Sequence, residues 1–267
     1  MSEGVVFSRS WLTAWTTLVV LFIVAPLVFV LLVSLTPLNH ISLPTSSLSL
    51  RWYERLTQNT ELVIALRNSL VLAIAAAATA VVLGTSAAVA SERWRFALLQ
   101  PLRLFAMSPL FIPTILGGLS LLVFSSQVGL RDQMARNYIA HAALTLPYVF
   151  RTVTASLASF DPNQELAARN LGANPLRAFL LVTLPQLGPG VAAGALFAFI
   201  VSFDNVGTSI FLTGAQFQTL PVALFNYASY SNDPMVSAAS VVMIAVSIIA
   251  IAILERFFGL QQIMRAA

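Results

Sequence analysis

Apolar runs of membrane-spanning length, set apart by short polar segments, dominate the pattern of this chain. The first reads WLTAWTTLVVLFIVAPLVFVLLVSL, residues 11–35. A run of roughly 18 or more apolar residues is long enough to cross a hydrocarbon core of about 30 Å as a helix. By that measure the sequence predicts six transmembrane helices, at roughly residues 11–35, 66–90, 104–124, 138–157, 185–213 and 235–254. The first run is too long for a signal-peptide core and lacks a small-residue cleavage site after it. It is therefore read as an uncleaved helix.

Local chemistry refines these helices. The second is rich in alanine, and small side chains let membrane helices approach closely where no hydrophobic force drives them together. Pro109, Pro113, Gly117 and Gly118 crowd the third and predict a kink, tolerated where neighbours or a cavity satisfy the freed backbone groups. LRWYERL, residues 50–56, is expected to lie as a short interfacial helix with Trp52 and Tyr53 in the headgroup layer. No internal repeat, low-complexity tract or linker divides the chain, so residues 1–267 are expected to form a single transmembrane domain.

Composition agrees: 58% of residues are hydrophobic and only 9% charged, with a mean hydropathy of +0.86. A water-soluble domain carries about a quarter charged residues, so the bulk of this chain needs a bilayer as its solvent. All fourteen basic residues are arginine. Without lysine there is no P-loop, whose lysine must reach nucleotide phosphates. Without cysteine there is no disulfide, thiol nucleophile or thiolate metal site, and His40 and His141 lack a metal-ligand spacing. In a soluble protein the net charge of +4 would point to nucleic acid; here arginine retained on one side of the membrane accounts for it. With six helices, Arg9, Arg93, Arg95, Arg103, Arg169, Arg177, Arg256 and Arg265 collect on one face, and Arg151 lies near that end of its helix. Arg51, Arg55, Arg67, Arg131 and Arg136 fall on the other. The positive-inside rule places the first face, and both termini, in the cytoplasm.

One segment of that face departs from the apolar pattern. QELAARNLGANPLRAFLLVTLP, residues 164–185, reads as a short helix, a turn over residues 172–175, and a second short helix. Gly172 tolerates positive φ, and Pro175 disfavours helix in the residue before it. Ala167 and Ala168 let a partner surface approach the backbone. Leu166, Leu171, Leu176, Phe179 and Leu180 offer apolar anchors, and Arg169 and Arg177 are available to carboxylates. By residue chemistry alone the segment fits either a protein-docking hairpin or an amphipathic hairpin lying on lipid.

The segment resembles the cytoplasmic signature loop of permease subunits of binding-protein-dependent ABC importers. That pattern runs Glu-Ala-Ala, three residues, Gly, nine residues, an aliphatic residue, one residue, then Leu-Pro. Ala167, Ala168, Gly172, Val182, Leu184 and Pro185 fall in register. The Glu position is held by Leu166, and the nearest carboxylate, Glu165, stands one residue earlier, a rotation of about 100° on a helix. LRWYERL followed by ALRNSLVLA, then SPLFIPTILGG, then SFDNVGTSIFLTG followed by TLP resemble the spermidine/putrescine branch in the same order. The resemblance implies an all-α, type I importer permease fold in the bacterial inner membrane. It implies coupling to an ATPase through residues 161–184, with Glu165, Ala167, Ala168, Arg169, Gly172, Ala173, Pro175, Leu184 and Pro185 as the residues involved. The implied partners are a second homologous permease, paired as a heterodimer, two copies of a cytoplasmic ATPase, and a periplasmic binding protein. The ATPase would use ATP and Mg, and this chain would bind no cofactor and no nucleic acid. The implied solute is a polyamine or a related small polar compound, with opines and phosphonates left open.

Asp204 is the one acid expected inside a helix well away from its ends. A carboxylate there is expensive and faces a cavity or a partner. Asp204 therefore either lines a translocation path, with Ser202, Asn205 and Thr208 nearby, or pairs structurally. The polyamine branch often carries two acids at this place; here the second is Asn205. Asn68, opening the second helix, either lines the path or bonds a neighbouring helix. Phe203, Phe211 and Phe217 either gate by hydrophobic constriction or simply pack. His141 is expected at the membrane interface. Tyr227 and Tyr230 fall on the outer side, as binding-protein contacts or part of an aromatic belt. A membrane-embedded enzyme would need a converging acid–base or nucleophile set. An ion-coupled carrier would need inverted repeats and midplane ion ligands. The sequence shows neither.

Overall fold

The computed structural model describes residues 9–43, 47–93 and 99–258. Arg95 and Arg265, counted above for orientation, lie outside the described residues. Those residues are helical, with no strand among them beyond an isolated bridge between Gly214 and Phe217. They group into two compact units, each built from segments distant in sequence.

One unit comprises the chain up to Thr60 together with Asn226–Ala245. Its α1 (Arg9–Ser34) exposes apolar side chains on nearly every face, as expected of a helix whose solvent is lipid. A short amphipathic helix, α2 (Arg51–Gln58), is anchored by Trp52, which is 1% exposed. The Trp52 indole Nε1 donates to the Thr36 carbonyl at 3.0 Å, and the guanidinium groups of Arg51 and Arg55 lie 5.2 and 4.9 Å from its ring. Trp52, expected at headgroup depth, is packed inside the protein. The carbonyl of Thr36, just past the end of α1, supplies the acceptor that a buried indole needs.

The other unit comprises Glu61–Phe225 and the chain from Val246. It contains α3 (Thr60–Arg93) from its second residue on, α4 (Leu99–Met107), α5 (Thr114–Gln127), α6 (Gln133–Ala158), α7 (Pro162–Asn170), α8 (Pro175–Ala178) and α9 (Leu184–Phe203). Two further helices, α10 (Leu220–Tyr230) and α11 (Met235–Phe258), divide between the units. Small residues set the packing here. A Cβ on Gly84 of α3 would sit 2.9 Å from the Val149 Cβ of α6, and one on Gly194 of α9 would sit 2.8 Å from the Val149 Cα. Gly190, one turn before Gly194, meets Ser156 and Thr152 in the same way. The Gly190-x-x-x-Gly194 spacing thus lays α9 flush against α6, the close approach that stabilises helix pairs in lipid.

Among the described residues, four stretches are long and apolar enough to cross a membrane: Trp11–Ser34, Thr60–Arg93, Pro175–Phe203 and Met235–Arg256. The pair formed by Pro101–Phe111 and Thr114–Gln127 passes together as a fifth, bent by 109°. The kink expected in the third helix is therefore a full break. Ile112, before Pro113, is extended (φ −97°, ψ 123°), as a pre-proline residue prefers, and neither Pro109 nor Pro113 can donate a backbone bond. The 26-residue α6 has spanning length, but Asn137, His141, Thr145 and Arg151 make it less apolar than the other four.

Candidate functional site

Two polar constructions stand out in the second unit. The first is the hairpin that the sequence analysis singled out. Asp161 opens α7, its Oδ1 accepting the Asn163 N–H at 2.9 Å, with Pro162 at the first helical position. The helix closes at Gly172, φ +93°. The Gly172 N–H donates to the Arg169 carbonyl at 3.0 Å and the Ala173 N–H to the Ala168 carbonyl at 3.1 Å. That pair of bonds is a Schellman cap, which needs a left-handed residue at this place. Asn174 then restarts the helix, its Oδ1 accepting the Arg177 N–H at 2.8 Å. From Pro175 the chain runs through a π-helical turn, Phe179–Thr183, straight into α9.

The outer surface of this hairpin is apolar and arginine-bearing. Leu171 is 91% exposed, Leu176 66% and Leu181 72%, and Arg169 and Arg177 are exposed. Ala167 and Pro175 are exposed and Ala168 and Ala173 half-buried. Leu166, at the register position of the signature glutamate, is exposed. Glu165 turns the other way. Its carboxylate pairs with both terminal nitrogens of the Arg93 guanidinium at the end of α3, the Nη1–Oε1 distance being 3.2 Å, and accepts from the Thr183 hydroxyl at 2.6 Å. Arg93 also lies 4.8 Å from the Phe179 ring centroid and donates to Thr183 at 3.2 Å. Partial burial pushes the Glu165 carboxyl up. The Thr183 and Arg93 bonds and the charges of Arg93 and Arg169 outweigh that and hold it below its ordinary value of 4.5. The sequence marks Arg93 only as one more arginine for orientation and Phe179 only as an apolar anchor, and it does not single out Thr183. The partners of Arg93 lie 72 and 90 residues along the chain, and no local pattern announces them.

The second construction surrounds Asp204. The helix expected to run past it ends instead at Phe203, and Asp204 is its cap residue. The Asn205 Oδ1 accepts the Thr208 N–H at 2.8 Å, offering the backbone a turn in place of another helical bond. The chain then folds back over α6. Three α6 side chains at four-residue spacing hold it: Gln133 Oε1 accepts the Phe217 N–H at 3.0 Å, Asn137 Nδ2 donates to the Leu212 carbonyl at 3.1 Å, and His141 bridges Ser202 and Ser209 at 2.7 and 2.8 Å. His141 is fully buried, not interfacial as expected. On the opposite side Gly118 of α5 abuts the Thr208 backbone, and Thr208 Oγ1 donates to the Thr114 carbonyl at 3.3 Å.

The path candidates thus separate. Ser202 is spent on His141, Phe203 is 1% exposed and stacked on Phe199 at 5.5 Å, and Asn205 holds a turn. Phe217 is buried and Phe211 partly exposed. Asn68 Nδ2 donates to the Gln218 carbonyl at 3.0 Å, the helix-bonding alternative. Thr208 lines a cavity of about 370 Å³ with Thr114, Gly117, Ser120 and Ala140. Asp204 itself is exposed, at the rim of this bonded turn.

An all-helical chain of membrane-spanning elements, with a capped polar hairpin leading into one of them, defines an integral-membrane transport component. Residues 80–259 match the family described as the binding-protein-dependent transport system inner membrane component, and the chain belongs to that family. It is 32% identical over 200 residues to the spermidine/putrescine transport system permease protein PotC of Haemophilus influenzae, covering 75% of this chain and 78% of the relative. To the putrescine transport system permease protein PotI of Escherichia coli K12 it is 30% identical over 236 residues, covering 85% and 84%. The fold is shared with a chain of a bacterial ABC transporter involved in import of the acidic polysaccharide alginate, at a TM-score of 0.72, 17% identity and coverage of 96% and 100%. The protein is therefore a permease subunit of an ATP-driven importer, works together with other subunits, and is not itself an enzyme.

Proposed function

We propose that this chain pairs with a second homologous permease, as a heterodimer, around a path for a polyamine or a related small amine. Two copies of an ATPase dock on the hairpin side, hydrolysing ATP with Mg, so this chain holds no nucleotide. A periplasmic binding protein delivers the solute to the opposite side, and both termini lie in the cytoplasm. The names of the relatives support the solute class, and the exposed Asp204 carboxylate gives a cation something to meet.

The observation that carries the reading is the Schellman-capped hairpin, with its exposed leucines outward and its second arm continuous with α9. A push on Leu171 or Leu176 is delivered to a membrane helix without an intervening loop. The test is Gly172→Pro in the assembled transporter. It removes the cap N–H and forces φ out of the left-handed region. We expect ATPase subunits still to copurify and ATP hydrolysis to persist while uptake is lost. Normal coupled uptake in this variant overturns the hairpin assignment.

A further inference from the structure

Both arms of the hairpin converge on one side chain of another helix. From the first arm, before the Gly172 cap, Glu165 meets the guanidinium edge of Arg93. From the second arm, after the cap, Phe179 meets its face and Thr183 its Nη2. Thr183 closes the triangle by donating to Glu165 at 2.6 Å. The contacts differ in kind: a paired-ion fork, a cation over an aromatic ring and a hydroxyl bridge. Only a planar guanidinium serves all three at once.

The end of α3 is itself fixed. Arg103 of α4 donates to the Ser91 carbonyl at 2.6 Å and to Glu92 Oε1 at 2.7 Å. Arg93 is therefore no loose surface cation but the last side chain of a tethered helix. Beside it lies a cavity of about 520 Å³ lined by residues including Glu92, Leu157, Phe160, Leu166 and Arg169. The first arm faces this space; Gln164 ties it to Gln186 of α9, and the Arg93 clamp ties it to α3.

We propose that Arg93 is a positioning residue for transport, the point through which movement of the hairpin is passed to α3 as well as to α9. The signature carboxylate displaced to Glu165 then serves inside the subunit, as the grip on α3, while exposed Leu166 occupies its register position. This rests on the proposed coupling role of the hairpin. Without the clamp, the hairpin keeps its hold on α9 and loses its hold on α3, so only α9 is driven.

The test uses the complete importer, with its ATPase and binding protein, reconstituted in liposomes, reading solute taken up per ATP hydrolysed. Arg93→Glu and Glu165→Arg should each lower that ratio about five-fold or more, the lower end of the couplings that link distant sites. Basal hydrolysis and ATPase copurification should persist. The double reversal, Arg93→Glu with Glu165→Arg, restores the ion pair alone and should recover part of the ratio, which a merely structural loss would not. Thr183→Val, at nearly unchanged volume, should give an intermediate value and covers the case in which a charge variant fails to assemble. Wild-type ratios in the single variants, or no recovery in the double one, overturn the proposal. If Gly172→Pro uncouples while the Arg93 variants do not, the clamp fails and the hairpin stands. If Gly172→Pro also leaves coupling intact, the hairpin reading itself falls.

Discussion

At the scale of single residues, the informative polar groups are those that hold backbone. His141 has a hydroxyl on each ring nitrogen and no exposure. His141→Ala orphans Ser202 and Ser209 in a buried site, and stranding a buried polar group costs about 1–3 kcal/mol. The thermal midpoint of the purified complex should fall accordingly, and an unchanged midpoint would show that the bridge contributes nothing. Asp204 is the counter-case. It is exposed, and no side-chain bond to it occurs among the described residues, so Asp204→Asn should leave that midpoint where it was. Uptake of a cationic solute should drop about ten-fold or more, the loss of one charge-assisted contact of roughly 1.5–3 kcal/mol. Equal uptake by wild type and variant removes Asp204 from the path. The sequence singled out Asp204 as costly in an apolar run, but it could not show where the helix stops. Val206, Ile210 and Phe211 beyond Phe203 let the stretch read as more helix despite Asp204, Asn205 and Gly207. The stop is made by one side chain, Asn205, taking the Thr208 N–H, and by α6 groups far along the chain.

At the scale of elements, glycine decides which helices touch. Gly190 meets Ser156 and the Thr152 carbonyl so closely that any Cβ must move them, whereas Gly117 has no atom within 4 Å of where a Cβ would stand. Gly190→Leu should therefore destabilise the α6–α9 pair by about 1–3 kcal/mol or more, the range for overpacking. Gly117→Ala should be neutral or stabilising by up to about 1 kcal/mol, since glycine is unfavourable inside a helix. Denaturation of the two variants side by side checks both, and equal midpoints would show that α9 does not rest on Gly190. The elements themselves were largely legible. Apolar length marked where α1, α3 and α11 lie, though α3 extends beyond the expected residues 66–90 at both ends, and proline density marked trouble in the third helix. Periodicity gave no warning that the trouble was a 109° break, because whether a proline helix bends or snaps depends on what waits to receive its freed backbone.

For the whole molecule, the apolar excess specifies a bilayer but not which way up. The 26 residues of α6 span roughly 39 Å at the helical rise, enough to separate its two flanking loops by a membrane. Orientation can be read in a chain that has no cysteine of its own. Val128→Cys, before α6, and Leu171→Cys, after it, are both on well-exposed positions. A membrane-impermeant maleimide should label the first from outside intact cells and the second only after lysis. Labelling of both from outside, or the reverse pattern, contradicts the arginine-based orientation.

The broken span has a consequence for biosynthesis. Neither half, α4 or α5, is long enough to enter a bilayer alone, and Gly118 and Thr114 find their partner only at Thr208, 94 residues later. At translation rates of roughly 5–20 residues per second, that partner emerges about 5–20 s after Thr114. During that interval the two half-helices have only part of their packing, against α6 once it has emerged. The insertion machinery, or the nascent α6, must shelter them until the Asn205 turn arrives to close the fold.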